Sequence, residues 1–96
     1  MRPSEVLEKN REIIREIVAR RQVSNPRVYG SVLRGEDGPD SDLDILVDPS
    51  PTTSLVTLGG LQGDLEEALG VSVDVKVPGD FPPKIRERII AEAAAI

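Results

Sequence analysis

Residues 28–47 decide the predicted fold of this chain, and they read Val-Tyr-Gly-Ser-Val-Leu-Arg-Gly-Glu-Asp-Gly-Pro-Asp-Ser-Asp-Leu-Asp-Ile-Leu-Val. Within them, Gly30-Ser31 is followed by ten residues and then by Asp42-Leu43-Asp44. The apolar residues 45–47 come next and are typical of a buried strand. Because residues two apart on a strand point to the same face, we expect the carboxylates of Asp42 and Asp44 to lie side by side.

Such a pair of carboxylates indicates a metal site. Two ionised carboxylates on one side of a sheet repel each other strongly unless a cation lies between them. Mg²⁺ binds one or two protein carboxylates together with waters and substrate phosphates, so Asp42 and Asp44 are predicted to bind a metal that also holds a nucleotide. The chain has neither cysteine nor histidine. Any metal must therefore be held by oxygen ligands, which favours Mg²⁺ or Mn²⁺ over Zn²⁺.

The Gly-Ser end of the stretch predicts a phosphate site. Gly30 is expected to end a first strand, and Ser31 to begin a short helical turn that runs towards Arg34. Such a turn offers backbone N–H groups to an anion. Gly30 allows a ligand to approach the backbone closely, and the Ser31 hydroxyl adds a donor.

These motifs resemble those of the DNA polymerase beta-like nucleotidyltransferase superfamily, and in particular its minimal branch, the MNT domains. The residues that carry the resemblance are Gly30-Ser31-x-x-Arg34-Gly35, Ser41-Asp42-Leu43-Asp44-Ile45, Leu65-Glu66-Glu67 to Leu69-Gly70, and Val73-Asp74-Val75. The segment 84–93 is also similar to the C-terminal helix of that branch. The resemblance therefore covers nearly the whole chain.

The resemblance implies transfer of a nucleotidyl group with the help of two Mg²⁺ ions. Asp42 and Asp44 would hold both ions against the triphosphate of ATP, and Asp74 would join them at the ion nearest the attacking hydroxyl. The alternation of residues 71–77 alone favours an exposed Asp74. The two preceding acids and the expected strand–helix–strand crossover, which would place the third strand beside the second, favour a site residue instead.

The resemblance also assigns the remaining site residues. Gly30 and Ser31 would seat the β- and γ-phosphates. Ser41 belongs to the motif, although a serine at this place could simply form a turn. Arg34 would either face phosphate or pack against the Asp-rich loop, and the sequence does not separate these two roles.

MNT domains are commonly the antitoxin half of HEPN/MNT toxin–antitoxin pairs, and some transfer AMP from ATP to a tyrosine of the partner toxin. Three functions therefore stay open for this sequence. The first is adenylylation of a partner protein, which the three acids favour because binding alone does not require them. The second is a catalytically silent antitoxin that acts by binding alone, and the third is transfer to a small molecule such as an aminoglycoside.

Composition narrows the classes of partner. Seventeen acidic and twelve basic residues give a net charge of −5, which opposes binding to a nucleic-acid backbone. One tyrosine and one phenylalanine are too few for a platform that stacks single-stranded bases. An acidic surface suits a basic protein partner, but it is also ordinary for a soluble protein. No apolar stretch has the length of a membrane span or of a signal-peptide core, so we expect a cytoplasmic protein. The sequence leaves a homo- or hetero-oligomer open.

The periodicity predicts an α/β (α+β) fold in a single domain spanning residues 1–96, and the resemblance implies the small nucleotidyltransferase fold. A mixed three-stranded sheet is expected, antiparallel between the first two strands and parallel between the second and third. The predicted helices are 4–21, 54–69 and 82–95, and the predicted strands are 27–30, 42–47 and 71–77. Three glycines in the middle helix are expected to weaken its first half or to allow close packing on the sheet. The last helix is expected to close the core, with contact to a partner as the alternative.

Overall fold

The computed structural model describes residues 1–96 as five helices and four strands. The helices are α1 (Pro3–Lys9), α2 (Arg11–Arg20), α3 (Gly30–Leu33), α4 (Leu55–Leu69) and α5 (Pro83–Glu92). The strands are β1 (Ser24–Tyr29), β2 (Leu43–Asp48), β3 (Val73–Lys76) and β4 (Ala94–Ala95), and a short 3₁₀ turn covers Pro78–Asp80. None of the helices combines the length and the hydropathy that crossing a bilayer requires.

The four strands form one mixed sheet in the order β3-β2-β1-β4. β1 and β2 are antiparallel and β2 and β3 are parallel, which confirms the predicted pairing. The predicted number of strands was wrong, because Ala94 and Ala95 leave the last helix and pair with Val28 and Arg27 of β1. Alanine favours a helix when nothing competes, but here the free edge of β1 offers backbone hydrogen-bonding partners.

The first predicted helix is divided in two at Asn10. The Asn10 side chain donates to the Val6 carbonyl at 2.8 Å, and its backbone leaves helical geometry with φ −130°. Asparagine competes for backbone groups in this way, which is why it favours helix ends. β1 also begins earlier than predicted, at Ser24, because a register irregularity between Ser24 and Arg27 accommodates Pro26.

The hydrophobic core lies on one face of the sheet, beneath α2 and α4. Leu43 and Ile45 of β2 are fully buried there, as are Leu61 and Leu65 of α4. The Ser54 hydroxyl accepts a hydrogen bond from the Thr57 backbone N–H at 3.2 Å, so α4 begins where the sequence predicts. The remaining core residues are Val6, Leu7, Ile14, Ile17, Val18, Val23, Val28, Val32, Val47, Leu69, Val73, Val75 and Ile96.

The last helix does not close the core, so this prediction was wrong. No residue of α5 is buried, and Ile85 and Ile90 remain 41% and 43% exposed. Only Ile96, beyond the helix, joins the core. The core face is already filled by α2 and α4, which leaves α5 beside the Gly30 turn. The alternative role of this helix, contact with a partner, stays a prediction.

The glycines of α4 do not bring that helix close to the sheet. A Cβ atom at Gly59 or Gly63 would meet nothing within 4 Å. A Cβ atom at Gly60 would overlap the guanidinium of Arg21, which pairs with Asp64 at 2.8 Å. Only Gly60 therefore allows a close approach, and it does so towards α2.

We predict that Gly63→Ala stabilises the protein, because alanine is favoured over glycine by about 1 kcal/mol at an open helix position. Gly60→Ala should gain less or lose stability, since it must displace the Arg21 side chain. Thermal unfolding of the two variants tests this, with an expected rise of about 4–8 °C for Gly63→Ala. A lower midpoint for Gly63→Ala would contradict the open surroundings of this residue.

Candidate active site

The strand pairing places three polar side chains in one row across the sheet. Tyr29 of β1 lies opposite Asp44 of β2, and Asp44 lies beside Asp74 of β3. Paired residues of neighbouring strands share a face. This face is the one opposite the core, because Leu43 and Ile45 alternate with Asp44 and are buried. Two carboxylates from distant parts of the sequence are thus neighbours.

Gly30 joins this row to the predicted phosphate turn. Its φ of +76° is a left-handed conformation that glycine adopts without a steric penalty. A Cβ atom at this position would also overlap the Asp44 carboxylate. Glycine is therefore required here on two independent grounds. It begins α3, so Ser31 occupies the second position of that short helix.

The charge around Asp44 is poorly balanced. Burial, followed by the negative charges of Asp74 and then Asp42, raises the pKa of Asp44 to about 6, and Arg34 and Lys76 offset this only in part. Lys76 lies 3.7 Å from the Asp74 carboxylate. The pairing of β2 with β3 thus brings Asp44 and Asp74 together, and Asp42 is close enough for its charge to act on Asp44.

The donor chemistry of this row fits a hard divalent cation. The side chains offer carboxylate oxygens, and the chain has no histidine or cysteine that would favour a softer metal. A cation beside Asp44 would favour its ionised form and so offset the burial and the negative charges that raise its pKa. As they stand, the acidic side chains do not converge into a group of three around one point. Phosphate oxygens of a nucleotide would have to supply further ligands.

Arg34 and Ser41 make contacts with the loop between α3 and β2. Arg34 pairs with Glu36 at 3.1 Å. The Ser41 hydroxyl accepts a hydrogen bond from the Gly38 backbone N–H at 2.9 Å, so it stabilises the turn. The same loop is tied to α1, where the buried Asp37 accepts from the Ser4 backbone N–H at 2.9 Å.

A cavity of about 410 Å³ opens between the Gly30 turn and α5. Its lining consists of Tyr29, Gly30, Arg34, Arg88, Ile89 and Glu92. The sequence identified only Gly30 and Arg34 among these residues. Tyr29 adjoins the Gly-Ser motif, and the spacing of Arg88 and Glu92 places them on one face of a helix. These two signals could have pointed to the missed residues, but neither indicates that α5 faces the motif.

Comparison with known proteins identifies the class. The family model of the nucleotidyltransferase domain matches residues 10–96. MJ0435, a candidate protein adenylyltransferase of Methanocaldococcus jannaschii, is 37% identical over 80 residues, which cover 83% of this chain and 86% of that protein. The protein adenylyltransferase MntA of Thermococcus cleftensis is 32% identical over 91 residues, which cover 95% of this chain and 89% of that protein.

Solved structures agree with this result. A candidate minimal nucleotidyltransferase has a TM-score of 0.83 at 38% identity, covering 97% of this chain and 93% of that chain. A toxin–antitoxin structure with AMP-PNP has a TM-score of 0.75 at 19% identity, covering 90% of this chain and 70% of that chain, and shows the shared fold. The chain belongs to the nucleotidyltransferase domain family. It is an enzyme of the nucleotidyltransferase class, and the resemblance to minimal nucleotidyltransferases is confirmed.

We predict that Asp44→Asn raises the stability of the metal-free protein at neutral pH. The folded-state pKa of Asp44 is raised above its ordinary value of 3.8 to about 6. The stability that Asp44 contributes is therefore present below about pH 4 and is lost as the pH rises through about 6. Asparagine removes this loss, so the thermal midpoint of the variant should exceed that of the unaltered protein by a few degrees at pH 7.5 in EDTA.

The difference between the thermal midpoints of the two proteins should shrink towards pH 4, where Asp44 is protonated. Taking this difference cancels the pH dependence that both proteins share, including that of Asp48 and Asp64, whose pKa values are lowered. A midpoint that falls in Asp44→Asn at pH 7.5 would mean that the carboxylate stabilises the fold instead of straining it.

Proposed function

We propose that this nucleotidyltransferase transfers AMP from ATP to a hydroxyl group of a partner protein, with Mg²⁺ as its metal. The partner would be a HEPN-type toxin, the acceptor a tyrosine, and the protein its antitoxin. The observation that carries the catalytic part is the alignment of Asp44 with Asp74, with Gly30 against the Asp44 carboxylate. The names of the relatives, protein adenylyltransferases, support a protein as acceptor.

Asp42, Asp44 and Asp74 would bind the metal, and Gly30 and Ser31 would bind phosphate. Mg²⁺, when bound, neutralises the charge of the triphosphate and polarises the acceptor hydroxyl. Asp44 must be ionised to act as a ligand, and its pKa of about 6 makes this state dominant at neutral pH. Metal binding should therefore weaken as the pH falls below about 6.

The reaction is a displacement at the α-phosphorus. The acceptor oxygen forms a bond to this phosphorus, the bond to the bridging oxygen of pyrophosphate breaks, and the hydroxyl loses its proton. With no histidine in the chain, activation of the hydroxyl would fall to the metal and Asp74 together, and Asp74 would take the proton. The Lys76 ammonium group lies 3.7 Å from the Asp74 carboxylate, on the sheet face opposite the core.

The sheet face that carries Asp44 and Asp74 is open to solvent, which favours a large acceptor. The Asp74 side chain is 41% exposed, so an incoming hydroxyl can reach it from solvent. Positioning a nucleophile within about 3–3.5 Å of phosphorus lowers the barrier by many kcal/mol. A protein interface of about 800 Å² per partner supplies such positioning. A small sugar on an open face would lack it.

We predict that ATP binds only in the presence of Mg²⁺ or Mn²⁺. Without a cation, the triphosphate would face the carboxylates of Asp42, Asp44 and Asp74 unneutralised. Calorimetric titration with ATP in Mg²⁺ and again in EDTA measures this, and the heat of binding should disappear in EDTA. Equal affinities under the two conditions would refute a metal-bridged site.

We further predict that this protein, incubated with labelled ATP, Mg²⁺ and a co-encoded partner, attaches AMP to a tyrosine of that partner. Mass spectrometry should show the added AMP, and Asp42→Asn should abolish it while the variant remains folded. Kanamycin in place of the partner should stay unlabelled. A tight complex with an unmodified, silenced partner would instead favour the binding-only antitoxin, and efficient labelling of kanamycin would favour the small-molecule transferase.

A further inference from the structure

We propose that Arg88 of α5 binds the triphosphate of the nucleotide from the side opposite the Gly30 turn. This inference rests on the proposed function, since it names a further substrate-binding residue of the same site. The cavity between Gly30 and α5 has Arg88 on its α5 side and Arg34 on the other. Its volume of about 410 Å³ lies within the range of ligand-binding pockets.

Of the two arginines that line the cavity, Arg88 is the one without a carboxylate partner. A triphosphate next to Asp42, Asp44 and Asp74 needs positive groups in addition to a metal. Lys76 lies 3.7 Å from Asp74, and Arg34 lies 3.1 Å from Glu36, so both already have a carboxylate partner. The side chain of Arg88 forms none of the ion pairs and none of the side-chain hydrogen bonds of the structure. A guanidinium group binds phosphate through two parallel N–H donors, which suits this position.

The fold holds α5 in place from both ends. Arg86 donates to the carbonyls of Pro78 and Phe81, each at 2.9 Å, at the start of the helix. The Phe81 ring meets Tyr29 edge to face, with ring centroids 5.9 Å apart. Beyond the helix, the Ile96 backbone N–H donates to the Pro26 carbonyl at 3.0 Å.

These contacts explain why α5 keeps its place although none of its residues is buried. Tyr29 is also the residue opposite Asp44. Its contact with Phe81, two residues before α5, therefore connects the start of this helix to the strand that pairs with Asp44. Arg88 lies two residues after Arg86 and one helical turn before Glu92. The helix therefore presents Arg88 to a cavity whose opposite wall, Gly30, touches the Asp44 carboxylate.

Glu92 lines the same cavity and supplies a control of opposite sign. Its negative charge would repel a triphosphate that Arg88 attracts. Arg88→Gln should therefore weaken nucleotide binding, and Glu92→Gln should strengthen it. Lys84→Gln makes the same charge change as Arg88→Gln on an exposed part of α5 that does not line the cavity, and it should have little effect.

The test is calorimetric titration with AMP-PNP in excess Mg²⁺ at constant salt, for the unaltered protein and for Arg88→Gln, Arg88→Lys, Glu92→Gln and Lys84→Gln. Loss of a charge-assisted hydrogen bond should raise the Kd of Arg88→Gln about ten-fold or more. Arg88→Lys should recover part of this loss, because it retains the charge. The thermal midpoint of the metal-free and nucleotide-free protein should be the same for Arg88→Gln and Lys84→Gln.

Each result separates this inference from the proposed function. If the unaltered protein binds Mg²⁺ and AMP-PNP but Arg88→Gln binds them equally well, this inference alone fails. If Glu92→Gln or Lys84→Gln weakens binding as much as Arg88→Gln, α5 acts through its structure, and the inference also fails. If the unaltered protein does not bind the nucleotide at all, the proposed function fails together with it.

Discussion

Repulsion between carboxylates is the constraint on which the site depends. Asp44 and Asp74 occupy matched positions on parallel strands, and Asp42 is close enough to add its charge. Nothing in the stability of the metal-free fold favours this arrangement. The strands stay paired because their other faces are buried, with Leu43 and Val73 in the core. Burial of such side chains contributes about 1.5–3 kcal/mol each, which outweighs a repulsion that solvent partly screens.

The acid row also explains the geometry around Gly30. The chain leaves β1 at Tyr29 and turns at once into α3, with φ of +76° at Gly30. Any side chain at this position would displace the Asp44 carboxylate. The close approach of a backbone turn to a half-buried acid is thus built into the hairpin-like pairing of β1 with β2. A substrate phosphate and a metal ligand would meet at this point.

The two faces of the sheet are covered differently. One face of the sheet carries the packed helices, and the other carries the acids, the Tyr29–Phe81 contact and the exposed α5. Helix α5 is held by hydrogen bonds and by the pairing of β4 with β1, and none of its own residues is buried. Such an attachment leaves a cavity between α5 and the Gly30 turn that a fully packed helix would have filled. Helix α5 therefore forms a wall of this cavity and not a part of the core.

Much of this protein is determined by local sequence. The apolar run after Asp44, the alternation around Asp74 and the caps of α4 at Ser54 and Gly70 predict the central elements, because period and capping depend on near neighbours. The same patterns predict that β2 and β3 are parallel, since a helix connects them. The proximity of the acids follows from that topology. The resemblance to known motifs then supplies the chemistry that the row of acids would perform.

Only the tertiary structure decided the conformation of the C-terminal residues and the position of α5 opposite the Gly30 turn. Ala94 and Ala95 become a strand because distant backbone groups of β1 compete with local helix formation. The break of the first helix at Asn10 is local by contrast, since the Asn10 side chain donates to the Val6 carbonyl. The sequence pattern of α5 is compatible with burial in the core. Its exposure depends on the space already taken by α2 and α4, which no local pattern records. For the same reason, the sequence showed Gly30 and Arg34 but not Arg88, whose place opposite them depends on contacts between residues far apart in the chain.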